Sequence, residues 1–121
     1  MAIDFNYAPK KTPAVYIVAN RYRGTIDIGV TSALWSRVWD HKNGTTPGFT
    51  SKYKLNLLVW YEHHHFMTDA IKREKQLKVW KRDWKFREIE EMNPNWLDLH
   101  DAIDATTTLV EPKAGPLPSQ G

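Results

Sequence analysis

Two short runs near the start of the chain constrain its folding most. Residues 14–19 (AVYIVA) and 25–30 (TIDIGV) are rich in β-branched and aromatic side chains, and the five residues between them are largely polar and end in Gly24. Such side chains favour extended backbone, and a short polar connection carrying glycine turns one run back on the other. The pattern therefore predicts an antiparallel β-hairpin. A third run, residues 55–61 (LNLLVWY), is apolar enough to lie largely buried in a sheet. Between the second and third runs, Thr31 or Ser32 offers an N-cap, and residues 33–42 have helical spacing through Leu34, Val38 and His41. NGTTPG at residues 43–48 is a loop. Residues 67–80 return to helical spacing with Thr68 or Asp69 as cap, residues 83–92 form a further helix ended by Asn93 and Pro94, and residues 95–102 add a turn of helix. The order strand, strand, helix, strand, helix, helix predicts an α/β fold, a small sandwich with a three-stranded antiparallel sheet flanked by helices.

A chain of 121 residues has room for one hydrophobic core. The predicted organisation is an arm over residues 1–13, a folded domain over 14–102 and a disordered, proline-containing tail over 103–121. No stretch approaches the roughly 18 consecutive apolar residues of a membrane span, and the first residues lack the basic-then-apolar pattern of a secretory signal. Zero cysteines exclude a disulfide framework, a thiolate metal site and a cysteine nucleophile. A cytoplasmic location is the expectation that fits.

The net charge of +3 conceals an uneven distribution. Residues 72–87 carry eight basic side chains against two acidic ones, whereas residues 88–111 carry seven acidic side chains and no lysine or arginine. Lys72, Arg73, Lys75, Lys78, Lys81 and Arg82, interleaved with Trp80, Trp84 and Phe86, suit a nucleic-acid surface: cations for phosphates and aromatic rings for packing or stacking. A solvated helix face with inward-pointing aromatics accounts for the same pattern equally well. The acidic stretch and the tail together suggest a third use, docking a basic partner. His63, His64 and His65 read as an exposed loop run, although His63 and His65 are spaced to share an ion such as zinc or nickel.

Several polar residues fall where the helical or strand period calls for core. Glu74 lies three residues from both Ile71 and Leu77, so its carboxylate must be partnered, metal-bound or protonated. Pairing with Lys78, one turn on, is the plainest solution. Arg37 and His41 stand one turn apart beside Leu34 and Val38, and Tyr16 shares a strand face with Ala14 and Val18. Together these four types supply a base, a phosphate clamp, a proton carrier and a metal ligand, the components of phosphodiester hydrolysis.

The ordered series of motifs resembles the GIY-YIG nuclease family, in particular its small single-domain bacterial members. Ala14-Val15-Tyr16 stands where the first motif belongs, and Asp27-Ile28-Gly29 where the second belongs. Gly29 to Ser32, Arg37 and His41 follow in order, then AIKREKQLK at residues 70–78 and IEEMNPNW at residues 89–96. The resemblance implies an endonuclease acting on nucleic acid, with DNA the expected substrate, Mg²⁺ or Mn²⁺ as cofactor and a repair or mobile-element role. It assigns Glu74 to the metal, Arg37 to the scissile phosphate, Tyr16 to the attacking water and His41 to the tyrosine. A homodimer would supply the second centre that a double-strand cut requires.

One departure is chemical. Asp27 occupies a catalytic position where the second motif carries tyrosine. The change removes a neutral hydroxyl donor and places a carboxylate where phosphate oxygens would approach. Three consequences follow as alternatives: impaired hydrolysis, a non-catalytic nucleic-acid-binding module that keeps the fold, or a second metal ligand beside Glu74. Tyr22, in the hairpin loop, is the other hydroxyl at hand.

Overall fold

In the computed structural model, which describes residues 12–44 and 53–103, the first apolar run becomes the centre of the sheet. All six residues of β1 (Ala14–Ala19) are buried. β2 (Ile26–Thr31) and β3 (Leu57–His63) flank β1 on either side, both antiparallel to it, giving the order β2-β1-β3. The helices are α1 (Leu34–Lys42), α2 (Met67–Val79) and α3 (Arg82–Met92), followed by a 3₁₀ turn at Leu99–Ala102. The predicted three-stranded antiparallel sheet with flanking helices is the observed fold.

The period-2 alternation of β1 divides the core in two. Ala14, Tyr16 and Val18 pack with Leu34 and Val38 of α1, with Leu55, Leu58 and Ile103. Val15, Ile17 and Ala19 pack on the other face with Ile28, Ala70 and Leu77 of α2, and Phe86 and Ile89 of α3. The β1–β3 register steps from Ile17↔Trp60 to Val18↔Leu58, so Val59 is the extra residue of a bulge. That irregularity turns both Val59 and Trp60 toward the second core.

Several boundaries differ from the sequence expectation for local reasons. Thr25 is spent in the turn: its amide donates to Asn20 Oδ1 at 2.9 Å, so β2 begins one residue later. Lys54 has φ +56 and its carbonyl accepts from the Asn56 amide at 3.0 Å, which keeps Leu55 out of the ladder while leaving it buried. α2 is not capped by Thr68 or Asp69. Its N-cap is Phe66, without a side-chain bond, and Asp69 lies in the first turn, where a carboxylate complements the helix dipole. α1 likewise starts after Ala33, whose amide donates to Thr31 Oγ1 at 3.0 Å. At the expected tail, Ile103 is 4% exposed and belongs to the first core. In the expected arm, the Pro13 carbonyl accepts from the His64 amide at 2.9 Å. The remainder of both segments, and most of the predicted loop over 43–48, lie outside the described residues.

Ion pairs tie the layers together and account for much of the acidic stretch. Arg23, at φ +52 in the hairpin turn, forks onto Glu90 of α3 with bonds of 2.7 and 2.6 Å, and the indole N–H of Trp96 donates to the same carboxylate at 2.7 Å. Glu88 pairs with Arg73 and Asp98 with Lys42. Asn93 closes α3 by donating to the carbonyls of Val59 and Leu97. Three of the seven acidic side chains are thus engaged within the fold, which weakens the docking-surface interpretation.

Candidate active site

The hairpin register sets Tyr16 directly opposite Gly29. Tyr16 is 5% exposed, and its ring lies across the face of β2. A β-carbon at position 29 would stand 2.5 Å from both Cζ and Oη of Tyr16, far inside van der Waals contact, so only glycine leaves room for the ring. Alternation puts Asp27, two residues before Gly29, on this same face.

α1 crosses that face and delivers two groups. Its inner row, Leu34, Val38 and His41, follows the 3.6-residue period, so the spacing that builds the core also buries the imidazole. His41 Nε2 lies 3.4 Å from the Tyr16 hydroxyl, with the rings edge-on at 5.8 Å. His41 Nδ1 is buried with no hydrogen-bond partner among the described residues. Arg37, one turn earlier, is exposed, and its charge acts on both Tyr16 and His41.

α2 packs on β1 and β2 and brings Glu74, with 15% of its side chain exposed. Its charge acts on both Tyr16 and Asp27. Lys78 Nζ lies 3.1 Å from Glu74 Oε2, the plain i,i+4 pairing expected from sequence. Tyr16, Asp27, Arg37, His41 and Glu74 come from four separate elements and form one electrostatically connected group.

Burial dominates the proton affinities. Burial pushes the Tyr16 phenol up to about 12; Arg37 opposes the shift, while Asp27 and Glu74 reinforce it. His41 is lowered from the ordinary imidazole value by burial and then by Arg37, against the pull of Asp27 and Asp40, which favours the neutral ring. Asp27 is raised by burial and by Glu74, opposed by Lys78, His41 and the Ile28 amide. A phenol, a neutral imidazole and an exposed guanidinium side by side offer a positioned hydroxyl, a proton partner and an anion clamp.

The donor set bears on a metal. Among the described residues no three histidine, cysteine, aspartate or glutamate side chains come together to form a metal-binding group. Glu74 offers a hard carboxylate of the kind that Mg²⁺ or Mn²⁺ takes, which fits an ion retaining most of its water shell rather than a fully protein-ligated one.

Other candidates separate. Lys72, Lys75, Lys78 and Lys81 are exposed, as a phosphate-contacting set requires. Arg73 does not belong with them. Its guanidinium donates to Glu62 at 3.0 Å, Gln76 at 2.6 Å and Glu88 at 3.1 Å, and it lies over the rings of Trp60 and Trp80. Arg82, though exposed, donates to the Gly24 carbonyl at 2.8 Å and lies 4.5 Å from the Phe86 ring centre. Phe86 is core and Trp80 is packed against it, leaving Trp84 outward, so the interleaved aromatics are mostly inward-facing. The histidine run is not an exposed loop: His63 ends β3, His64 Nε2 lies 2.8 Å from Glu62, and only His65 is exposed. Tyr22 packs edge-on to Trp96 on the second-core side and supplies no hydroxyl near Asp27. A cleft of about 510 Å³ along α3, lined by Arg23, Phe86, Glu90 and neighbouring charges, contains none of the five residues.

Gly29 was visible as part of a motif, but its reason, the overlying Tyr16 ring, is tertiary. The family model described as the GIY-YIG catalytic domain matches residues 12–87, more than half of the chain and inclusive of all five site residues. No curated protein and no solved structure matches the chain.

Proposed function

The chain belongs to the GIY-YIG family of nucleases, and from that premise we propose that it is a divalent-metal-dependent endonuclease that hydrolyses DNA phosphodiester bonds at a rate reduced by Asp27. The observation that carries this reading is the Tyr16 phenol 3.4 Å from the His41 imidazole, within reach of the charges of Arg37 and Glu74.

Glu74 would hold Mg²⁺ or Mn²⁺, which when bound supplies Lewis-acid polarisation of a phosphoryl oxygen. Arg37, exposed beside the phenol, clamps the scissile phosphate and offsets charge developing on it. His41 orients the Tyr16 hydroxyl. With no acceptor near Nδ1 among the described residues, a proton at Nε2 donating to the phenol oxygen leaves only a lone pair unpaired. That arrangement also stabilises negative charge on the Tyr16 oxygen in its ionised form, the form that accepts a proton from the attacking water.

A phenol raised to about 12 is ionised to only ~10⁻⁵ at neutral pH, and the ionised fraction rises tenfold per pH unit. The cleavage rate is therefore expected to climb log-linearly with slope near one from about pH 7 to 9, and Tyr16→Phe should flatten the profile. A wild-type plateau inside that range would remove Tyr16 as the group that accepts the proton.

Asp27 supports a second reading, a binding module that has kept the fold, because its carboxylate faces the anion site without a hydroxyl to donate. Nicking of supercoiled plasmid with Mn²⁺ or Mg²⁺ decides between them. Asp27→Tyr restores the hydroxyl and removes the charge, and is expected to raise the nicking rate about tenfold or more. No nicking by either protein, each folded and still shifting DNA in a gel, would establish the binding module instead.

A further inference from the structure

The corner between α2 and α3 leaves large apolar side chains in water. Val79 is 83% exposed, and Trp84, on the outer face of α3, is 47% exposed. Trp84 stands edge-on to Trp80 with ring centres 6.0 Å apart, and the two indoles line a cleft of about 270 Å³ together with Arg87, Glu88 and Glu91. Residues 84, 87, 88 and 91 follow the helical period, so one stripe of α3 forms the floor. The Trp80 wall is fixed in place. The Arg73 guanidinium lies 5.4 Å from its ring centre and is itself held by Glu62, Gln76 and Glu88. Glu88 takes that bond on Oε2, and a carboxylate accepts several more. Exposed Lys81 and partly exposed Lys85 directly follow the two indoles in the chain.

A ligand that matches this surface has a flat ring for the indoles, N–H donors for the carboxylates and an anionic chain for the lysines. The carboxylates repel a phosphate from the cleft itself, so phosphates belong on the lysine rim. A nucleobase on a phosphodiester chain has all three parts, and its Watson–Crick donors are free only when it is unpaired. Resting on the nucleic-acid reading above, we propose that this cleft holds one unpaired base of the bound nucleic acid, stacked on Trp84 with its donor edge toward Glu88 and Glu91. Guanine suits it best. Its neighbouring imino and amino groups offer two parallel donors to one carboxylate, whereas thymine sets a carbonyl on either side of its single donor. A basic peptide is disfavoured, because the run over residues 72–87 carries eight basic side chains against two acidic ones.

The test is fluorescence anisotropy without divalent ion, so that no strand is cut. The probes are a labelled oligothymidylate with one central dG, the same strand with dT at that position, and the blunt duplex of the first. Circular dichroism confirms that each variant is folded. Trp84→Ala is expected to lower the ratio of single-strand to duplex affinity about tenfold, the size of effect that stacking one base supplies, and Trp84→Phe should keep most of it. Glu91→Ala should abolish the preference for dG over dT. An unmoved ratio in Trp84→Ala overturns the base site, and Glu74-dependent nicking by the wild type would show that the nuclease reading survives that failure. If the wild type binds neither strand form and nicks nothing, the nucleic-acid reading falls and the base site with it. Loss of self-association in Trp84→Ala at an unchanged ratio would reassign the patch to a contact between copies of this chain.

Discussion

Glu74→Gln should lower plasmid nicking by at least about a thousandfold while leaving the protein folded and bound to DNA. The substitution keeps the shape of the side chain and removes its charge, which is the property an oxygen ligand of a hard cation requires. Its structural cost is small. The ion pair that Glu74 makes is with half-exposed Lys78 at i,i+4, an arrangement worth a few tenths of a kcal/mol. Loss of a negative charge beside the phosphate-binding face should leave affinity equal or slightly improved, so gel shift and nicking are expected to move apart. Equal nicking by the wild type and the variant would place the chemistry elsewhere, or outside the protein. Retained nicking with weakened DNA binding would recast Glu74 as a positioning residue.

The second large effect is expected at a residue that bears no functional group. Gly29→Ala introduces a methyl 2.5 Å from Cζ and Oη of Tyr16, and the ring cannot yield at its tip as a flexible chain would. Tyr16 is buried in the central strand, so relief must come from rotating the ring or parting the β1–β2 ladder. Overpacking of this kind costs about 1–3 kcal/mol, which should appear as a drop of several degrees in Tm. A displacement near 1 Å in a reacting group is also enough to cost about a hundredfold in rate. Thermal denaturation and nicking should therefore both fall. Adding Tyr16→Phe to Gly29→Ala should reduce cleavage little further, because the hydroxyl has already left its place beside His41. A large additional loss would mean that the ring had not moved.

Most of the site was legible because its residues sit where periodicity conflicts with polarity. Glu74 on a helix face between Ile71 and Leu77, and His41 completing the row of Leu34 and Val38, are local contradictions, and local patterns are what a sequence displays. The fold class followed from three apolar runs and the turn residues between them. Arg73 was misread for the complementary reason. It stands in a run of lysines, and only the packing of β3, α2 and α3 brings Glu62, Glu88, Trp60 and Trp80 around its guanidinium. The docking use offered for the acidic stretch is weakened by the same kind of contact, since Glu88 and Glu90 meet partners 15 and 67 residues away in the chain.

By itself, then, the sequence determined the strands and helices, the division of β1 into two faces and the identity of the polar residues that interrupt those faces. Each depends on interactions within a few residues: backbone sterics, turn chemistry and the 2- and 3.6-residue periods. The tertiary structure alone decided that Tyr16 lies over Gly29, that its hydroxyl meets His41, and that Arg23 reaches Glu90. Those relations join separate elements, and they are set by strand register and by how the helices seat on the sheet. Both minimise exposed apolar area over the whole domain, a quantity that no local stretch of sequence contains.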